Sequence, residues 1–246
     1  MSIQSVIENG VCRTVISRPD TRNAINFDVM DKLEALLTRL EEEESVRVFV
    51  FTGSNDFFIS GGDLREFHGI TKSDEAIKMG HRMQSILERI EKLPCWTIAA
   101  INGPAYGGGW EMMLAFDFRI AADTASFGFT QGRFYLPPGW GGLTRLCDSV
   151  GRQQALLLLS QNKVIGAGEA LDLGLIQSVF PADIFGAETD KLIQNLEHND
   201  REYIRHMKEK SISEERYKSI YAEIDNFGKF WEHEEHLKRV DSFLNK

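Results

Sequence analysis

The 246 residues, 42% apolar and 26% charged, suffice to bury a large core as one domain, or as one domain with a modest appendage. The 37 acidic residues against 28 basic ones give a formal charge of −9, which opposes nucleic-acid binding driven by phosphate contacts. No run approaches the roughly 20 apolar residues of a membrane helix, so no membrane association is expected.

Ser5–Ile7 and Val11–Ile16 read as a strand pair joined at Asn9-Gly10, and Arg18-Pro19-Asp20 breaks it. Asn26 is a plausible N-cap for a helix whose apolar stripe is Val29, Met30, Leu33, Leu36, Leu37 and Leu40. Val46–Thr52 is a short apolar strand ended by Gly53, followed by a loop carrying Phe58 to Leu64. Ile77, Gly80, Met83, Ile86, Leu87 and Ile90 mark a second amphipathic helix, stopped by Pro94. Thr97–Ile101 is the next buried strand and runs into a glycine-rich turn, Asn102 to Glu111, that opens a helix. Strands are expected over Phe118–Ala121 and Ser126–Phe129. Helices follow over Thr144–Val150, Arg152–Ser160, Ala167–Leu173, Asp183–Leu196 and Glu214–Phe243. The pattern is an α/β core over 1–195 and a C-terminal helical region over 196–246, with no linker or low-complexity segment between them.

Cys12, Cys95 and Cys147 are odd in number and widely spaced, and none forms a Cys-x-x-Cys pair. They argue for a reducing, cytoplasmic setting over a disulfide framework, and against a zinc site. The start, Met1 to Glu8, shows no basic region followed by an apolar run, so no secretory leader is expected. The six histidines (His68, His81, His198, His206, His233 and His236) have no metal-binding spacing, and no metal or redox cofactor is implied.

Two glycine loops each follow an apolar strand and lead into a helix: Ser60-Gly61-Gly62-Asp63 and Gly107-Gly108-Gly109. A helix start presents unpaired N–H groups, and glycine admits a ligand close to the backbone. Facing each other, two such loops can bind a developing oxyanion; each alone is simply a tight turn.

In order along the chain, these loops join Arg18-Pro19, Arg22 to Asn26, Phe58 to Leu64, Ala100 to Ala105, Gly107 to Glu111, Asp117 to Ala121 and Pro138 to Leu146. Together they resemble the crotonase (enoyl-CoA hydratase/isomerase) superfamily over roughly residues 10–180. The resemblance implies a crotonase-like α/β fold, a spiral of strand–strand–helix units with two roughly perpendicular sheets and C-terminal helices that pack into a homotrimer or hexamer. It implies an acyl-coenzyme A (acyl-CoA) thioester as substrate, with coenzyme A part of that substrate and not a separate cofactor. Its oxyanion hole falls on the N–H groups of Gly62 and Gly108. Arg22, Ala24, Ser60, Gly61, Asp63, Leu64, Trp110, Phe134 and Tyr135 become candidates for substrate and coenzyme A contacts.

The family's hydratases hold water between two glutamates. Glu111 matches the first, but an ungapped count back from Pro138 to Gly142 puts Gln131 at the second. An amide does not exchange protons near neutral pH, so ordinary hydration is demoted. Decarboxylation of a malonyl-type thioester (methylmalonyl- or ethylmalonyl-like) needs only the oxyanion hole and an apolar pocket, for which Trp110, Phe129, Phe134, Tyr135 and Trp140 are candidate walls. The superfamily's methylmalonyl- and ethylmalonyl-CoA decarboxylases also lack the second glutamate, and the latter resemble Phe129-Thr130-Gln131 and Trp140-Gly141-Gly142 in their spacing of Phe and Trp. The alternatives are isomerisation or hydration through Glu111 alone, and a non-catalytic coenzyme A-binding subunit. His68 is a further candidate for the acyl pocket.

Overall fold

The computed structural model describes residues 2–245. The alternation read near the start gives antiparallel strands β1 (Ile3–Glu8) and β2 (Val11–Ile16), with Asn9 and Gly10 both at positive φ in the two-residue turn. Helix α1 (Phe27–Glu42) starts where the N-cap was expected: the Asn26 side chain accepts from the Val29 N–H. Then come β3 (Val48–Gly53), the single turn α2 (Leu64–Phe67), α3 (Ser73–Lys92), β4 (Trp96–Ile101), β5 (Ala105–Tyr106) and α4 (Gly108–Met113). The chain continues through β6 (Phe118–Ala122), β7 (Ser126–Gly128), α5 (Gly142–Val150), α6 (Arg152–Ser160), β8 (Val164–Gly166), α7 (Ala167–Asp172), β9 (Ser178–Phe180) and α8 (Phe185–Leu196). It ends in α9 (Arg201–Ser211), α10 (Glu214–Trp231) and α11 (Glu234–Leu244).

The larger sheet has the order β1-β2-β3-β4-β6-β9 and is parallel from β2 onward. Its central strands are buried on both faces, which explains their unbroken apolar runs. On β3, Phe49 and Phe51 face the main core, while Val48 and Val50 face a second cluster covered by Phe185 and Ile193 of α8. A minor ladder runs beside this sheet: Ile25 pairs with Gly62, Ile59 with Ala105, and β5 with β7, all in parallel. The two glycine loops lie on successive rungs of that ladder, and this stacking brings them together.

Three departures from the sequence reading have physical causes. The helix expected over Glu214–Phe243 is two helices, because the His233 ring accepts from the Glu235 N–H and caps α11. Helix α9 is absent from the sequence reading because only Ile204 and Lys208 are buried on it, too few for an apolar stripe. Strands β8 and β9 bury little, Ile165 alone in β8 and no residue fully in β9, so no apolar run marks them in sequence. The region 196–246 does not stand apart from the core, since Phe227 and Trp231 of α10 belong to the same buried cluster as the α1 and α3 stripes. Among the described residues no helix is long and apolar enough to cross a membrane.

Candidate active site

Gly62 sits opposite Ile25, whose N–H donates to the Gly61 carbonyl and whose carbonyl accepts from the Asp63 N–H. That parallel pairing leaves the Gly62 N–H without a backbone partner. Gly108 is the first residue of α4, so its N–H lacks an intrahelical acceptor. Both residues line one cavity of about 120 Å³. The loops touch: a Cβ on Gly61 would lie 3.5 Å from the Gly108 nitrogen, and Gly61 (φ +124°) and Gly107 (φ +51°) hold conformations glycine favours. The ring of Trp140 lies against both donors, since a Cβ on Gly108 would fall 2.0 Å from it and one on Gly62 3.5 Å from it.

Glu111, one turn into α4, also lines the cavity and is 2% exposed. Its carboxylate accepts four N–H groups: Gln131 Nε2 (3.0 Å) and Gly139 N (3.3 Å) on one oxygen, Trp140 N (2.8 Å) and Gly142 N (3.0 Å) on the other. Glu111 therefore caps the start of α5 from within the cavity. Burial pushes its pKa up to about 7; the Trp140 amide opposes the rise, the nearby Glu223 carboxylate adds to it, and Gln131 and the Gly139 amide oppose it further. Four donors fill the four lone-pair positions of a carboxylate, so taking up a proton requires one donor to let go. Gly139, the longest contact, is the weakest.

Gln131 meets Glu111 directly. Its Oε1 accepts from the Trp110 indole N–H at 3.1 Å, and because indole only donates, the amide nitrogen is fixed toward Glu111. Among the described residues no Lys, Arg or His lines the cavity and Glu111 is the one ionisable group there, among walls that include Phe67, Met79, Leu136 and Trp140. Among the described residues no group of three or more His, Cys, Asp or Glu side chains is arranged to hold a metal ion.

Of the other candidates, Ser60, Gly61, Leu64 and Phe134 line the cavity. Ser60 also ties the loop to the segment around Arg22, its N–H donating to the Arg22 carbonyl and its hydroxyl to that of Thr21. Arg22 is exposed and lies over the Phe57 ring, while Ala24 is buried with its carbonyl accepting from Arg18. Asp63 is drawn inward: it caps α2 and pairs with Arg18 at 2.9 Å, so its side chain is not offered to the cavity. Trp110 and Phe129 are fully buried against each other behind the cavity and do not line it, and Trp110 orients Gln131 from there. Tyr135 lies outside, between Phe230, His233 and Arg239. His68 likewise turns away, its Nε2 3.3 Å from Asp241 on α11, because α2 aims it at the C-terminal helices.

Sequence reasoning missed the far wall, built by Phe227 and Trp231 of α10, with the Trp231 indole pinned to the Ile70 carbonyl. Their i, i+4 spacing was visible, but the partners they meet, Gly139 for Phe227 and Ile70 for Trp231, lie 88 and 161 residues away in the chain.

The model of the Enoyl-CoA hydratase/isomerase family matches residues 6–246. An enoyl-CoA isomerase/hydratase of Mycosarcoma maydis is 38% identical over 76% of this chain and 70% of its own. An ethylmalonyl-CoA decarboxylase of Xenopus tropicalis is 31% identical over 92% and 78%, and a probable enoyl-CoA hydratase of Bacillus subtilis is 30% identical over 100% and 96%. The crystal structure of an enoyl-CoA hydratase from Bacillus anthracis superposes with a TM-score of 0.82 at 28% identity, covering 100% of this chain and 96% of that one. With the paired amide donors, the ladder that positions them and a match over nearly the whole chain, the protein belongs to the enoyl-CoA hydratase/isomerase family and has its crotonase fold.

Proposed function

We propose that the protein decarboxylates a malonyl-type CoA thioester bearing a small α-substituent. The observation that carries this reading is the locked amide of Gln131, which faces Glu111 where a second carboxylate would complete a proton relay. In the proposed step the bond from the α-carbon to the carboxylate breaks. Its electron pair enters the thioester enolate, CO₂ leaves, and the enolate oxygen accepts the N–H groups of Gly62 and Gly108. The α-carbon then takes a proton from water or from Glu111. A substrate carboxylate against aromatic walls, with no cation lining the cavity among the described residues, is poorly solvated, and release as neutral CO₂ relieves that cost. Arg22, Ala24, Ser60 and Leu64 remain the residues proposed to meet coenzyme A.

A second reading has its own support. Glu111, with a pKa raised to about 7, could shuttle a proton between carbons of an enoyl thioester by itself. Mass spectrometry of malonyl-, methylmalonyl-, ethylmalonyl-, crotonyl- and 3-enoyl-CoA after incubation with the protein, isomers being separated chromatographically, tests both. CO₂ loss from a malonyl-type member alone is expected. Hydration or a shifted double bond in its place selects the second reading, and no turnover despite coenzyme A binding leaves a non-catalytic subunit.

A further inference from the structure

The start of α5 is capped twice. Glu111 takes the Gly139, Trp140 and Gly142 amides from the cavity side. From the other side Glu223 of α10 takes the next two, Leu143 N at 2.9 Å and Thr144 N at 3.0 Å, together with the Thr144 hydroxyl at 3.0 Å. Two carboxylates from helices far apart in sequence thus divide the unpaired donors of one helix terminus. Glu223 shares its face of α10 with Phe227 and Trp231, four and eight residues on, which wall the cavity. One face of α10 therefore closes the pocket and grips the helix that holds Glu111.

The charges around this pair are accounted for. Arg145 of α5 donates to the Trp140 carbonyl and forms a two-pronged pair with Glu91 of α3, which Arg216 of α10 also meets, with Asp148 on its far side. Beside it, His81 of α3 pairs with Asp225 of α10, and Glu88 of α3 accepts from the Tyr221 hydroxyl and pairs with Lys92. These groups are paired among themselves, with Arg145 also acting on Glu223 through space, whereas Glu111 and Glu223 face the same helix start and, among the described residues, no cation is bonded to either.

We propose that Glu223 is a positioning residue of the site: it holds the α5 start in place and, as a second negative charge on the same helix terminus, sets how readily Glu111 takes up a proton. The functional weight of this rests on the reading that Glu111 takes part in the reaction; the coupling itself does not. Burial raises the pKa of Glu223, with the Leu143 and Thr144 donors and the Arg145 charge opposing, and Glu223 in turn is among the causes that raise Glu111.

The experiment is ¹³C-carboxyl NMR of the full chain labelled in glutamate, the Glu111 signal being assigned by its loss in Glu111→Gln. In Glu223→Gln the Glu111 midpoint is expected to move to lower pH, because the neighbouring charge is gone. In Glu223→Asp, where the charge is kept but drawn back by one methylene, it should move less. Glu214→Gln, an exposed neutralisation at the start of α10, should leave it in place. Should Glu223→Gln not fold, Glu223→Asp carries the comparison. A midpoint unchanged in both Glu223 variants overturns the proposal, as does a Glu111 carboxyl that stays ionised across the folded range in every protein. Full turnover by Glu111→Gln would sink only the catalytic use of Glu111 and leave the measured coupling standing.

Discussion

Gln131→Glu tests the reading of the site most directly. Nε2 of Gln131 lies 3.0 Å from Glu111 Oε1, so the substitution puts a second carboxyl oxygen against the first. Two full negative charges at that separation repel by about 5 kcal/mol at an effective dielectric of about 20. The pair therefore keeps one proton through neutral pH, and that proton restores the lost hydrogen bond as a carboxylic acid donating to a carboxylate. The Trp110 indole still finds an acceptor. The variant should accordingly fold with a stability within about 1 kcal/mol of the parent at pH 7, and lose stability as the shared proton is titrated away at higher pH. Catalytically it gains the proton-exchanging partner that the amide denies. Hydration of crotonyl-CoA, followed by loss of the enoyl absorbance, should appear or rise at least about tenfold, and the CO₂ release proposed for a malonyl-type thioester should weaken. An unchanged profile for both activities would mean that residue 131 does not reach the reacting atoms. The reasoning from the locked amide would then fail.

Other substitutions follow from the same geometry. Gly108→Ala places a methyl 2.0 Å from the buried Trp140 ring, so the ring or the amide must move; a loss of roughly 10²–10³ in kcat is expected, with about 1–3 kcal/mol of stability, and a fully active variant would remove Gly108 from the oxyanion hole. Glu91→Ala strips the fully buried Arg145 of its bidentate partner, and denaturant unfolding should show a loss of about 3–5 kcal/mol; a loss below about 1 kcal/mol would show that Arg216 and Glu91 are not the network's anchor. Glu111 has a folded pKa raised from 4.5 to about 7, so the native state holds an extra proton in that interval and its contribution is lost as pH rises through about 7. This decline amounts to at most about 3 kcal/mol, and a denaturation midpoint for the parent that does not fall over this window relative to Glu111→Gln would contradict it.

The strands that build the site were legible because both faces of β3 and β4 are buried, which leaves uninterrupted apolar runs. Asn26, Gly62, Gly108 and Glu111 could be placed because each acts through its neighbours in sequence: a cap, a tight turn, a helix start. Gln131 came from counting, and the indole bond that fixes its orientation could not, since Trp110 lies 21 residues away. Tyr135 and His68 were misjudged as cavity residues for a related reason. Proximity in sequence to Phe134 and Leu64 says nothing of direction: Tyr135 ends a tight turn with φ +59° and points outward, and His68 follows the single turn of α2. Asp63 looked free for a ligand until Arg18 and two amides claimed it. The far wall was illegible because Phe227 and Trp231 find their surroundings only once the chain has turned back on itself.

That late contribution bears on how the protein is made. Residues 60–111, which carry both amide donors and Glu111, leave the ribosome more than 100 residues before α10. A domain folds as a unit, and Phe227 and Trp231 of α10 belong to the same buried cluster as the rest of the core. Without α10 the pocket loses one wall, and the Leu143 and Thr144 amides lose Glu223. A chain stopped just short of α10 would carry the Gly62 and Gly108 amides in the right order and have no closed pocket around them.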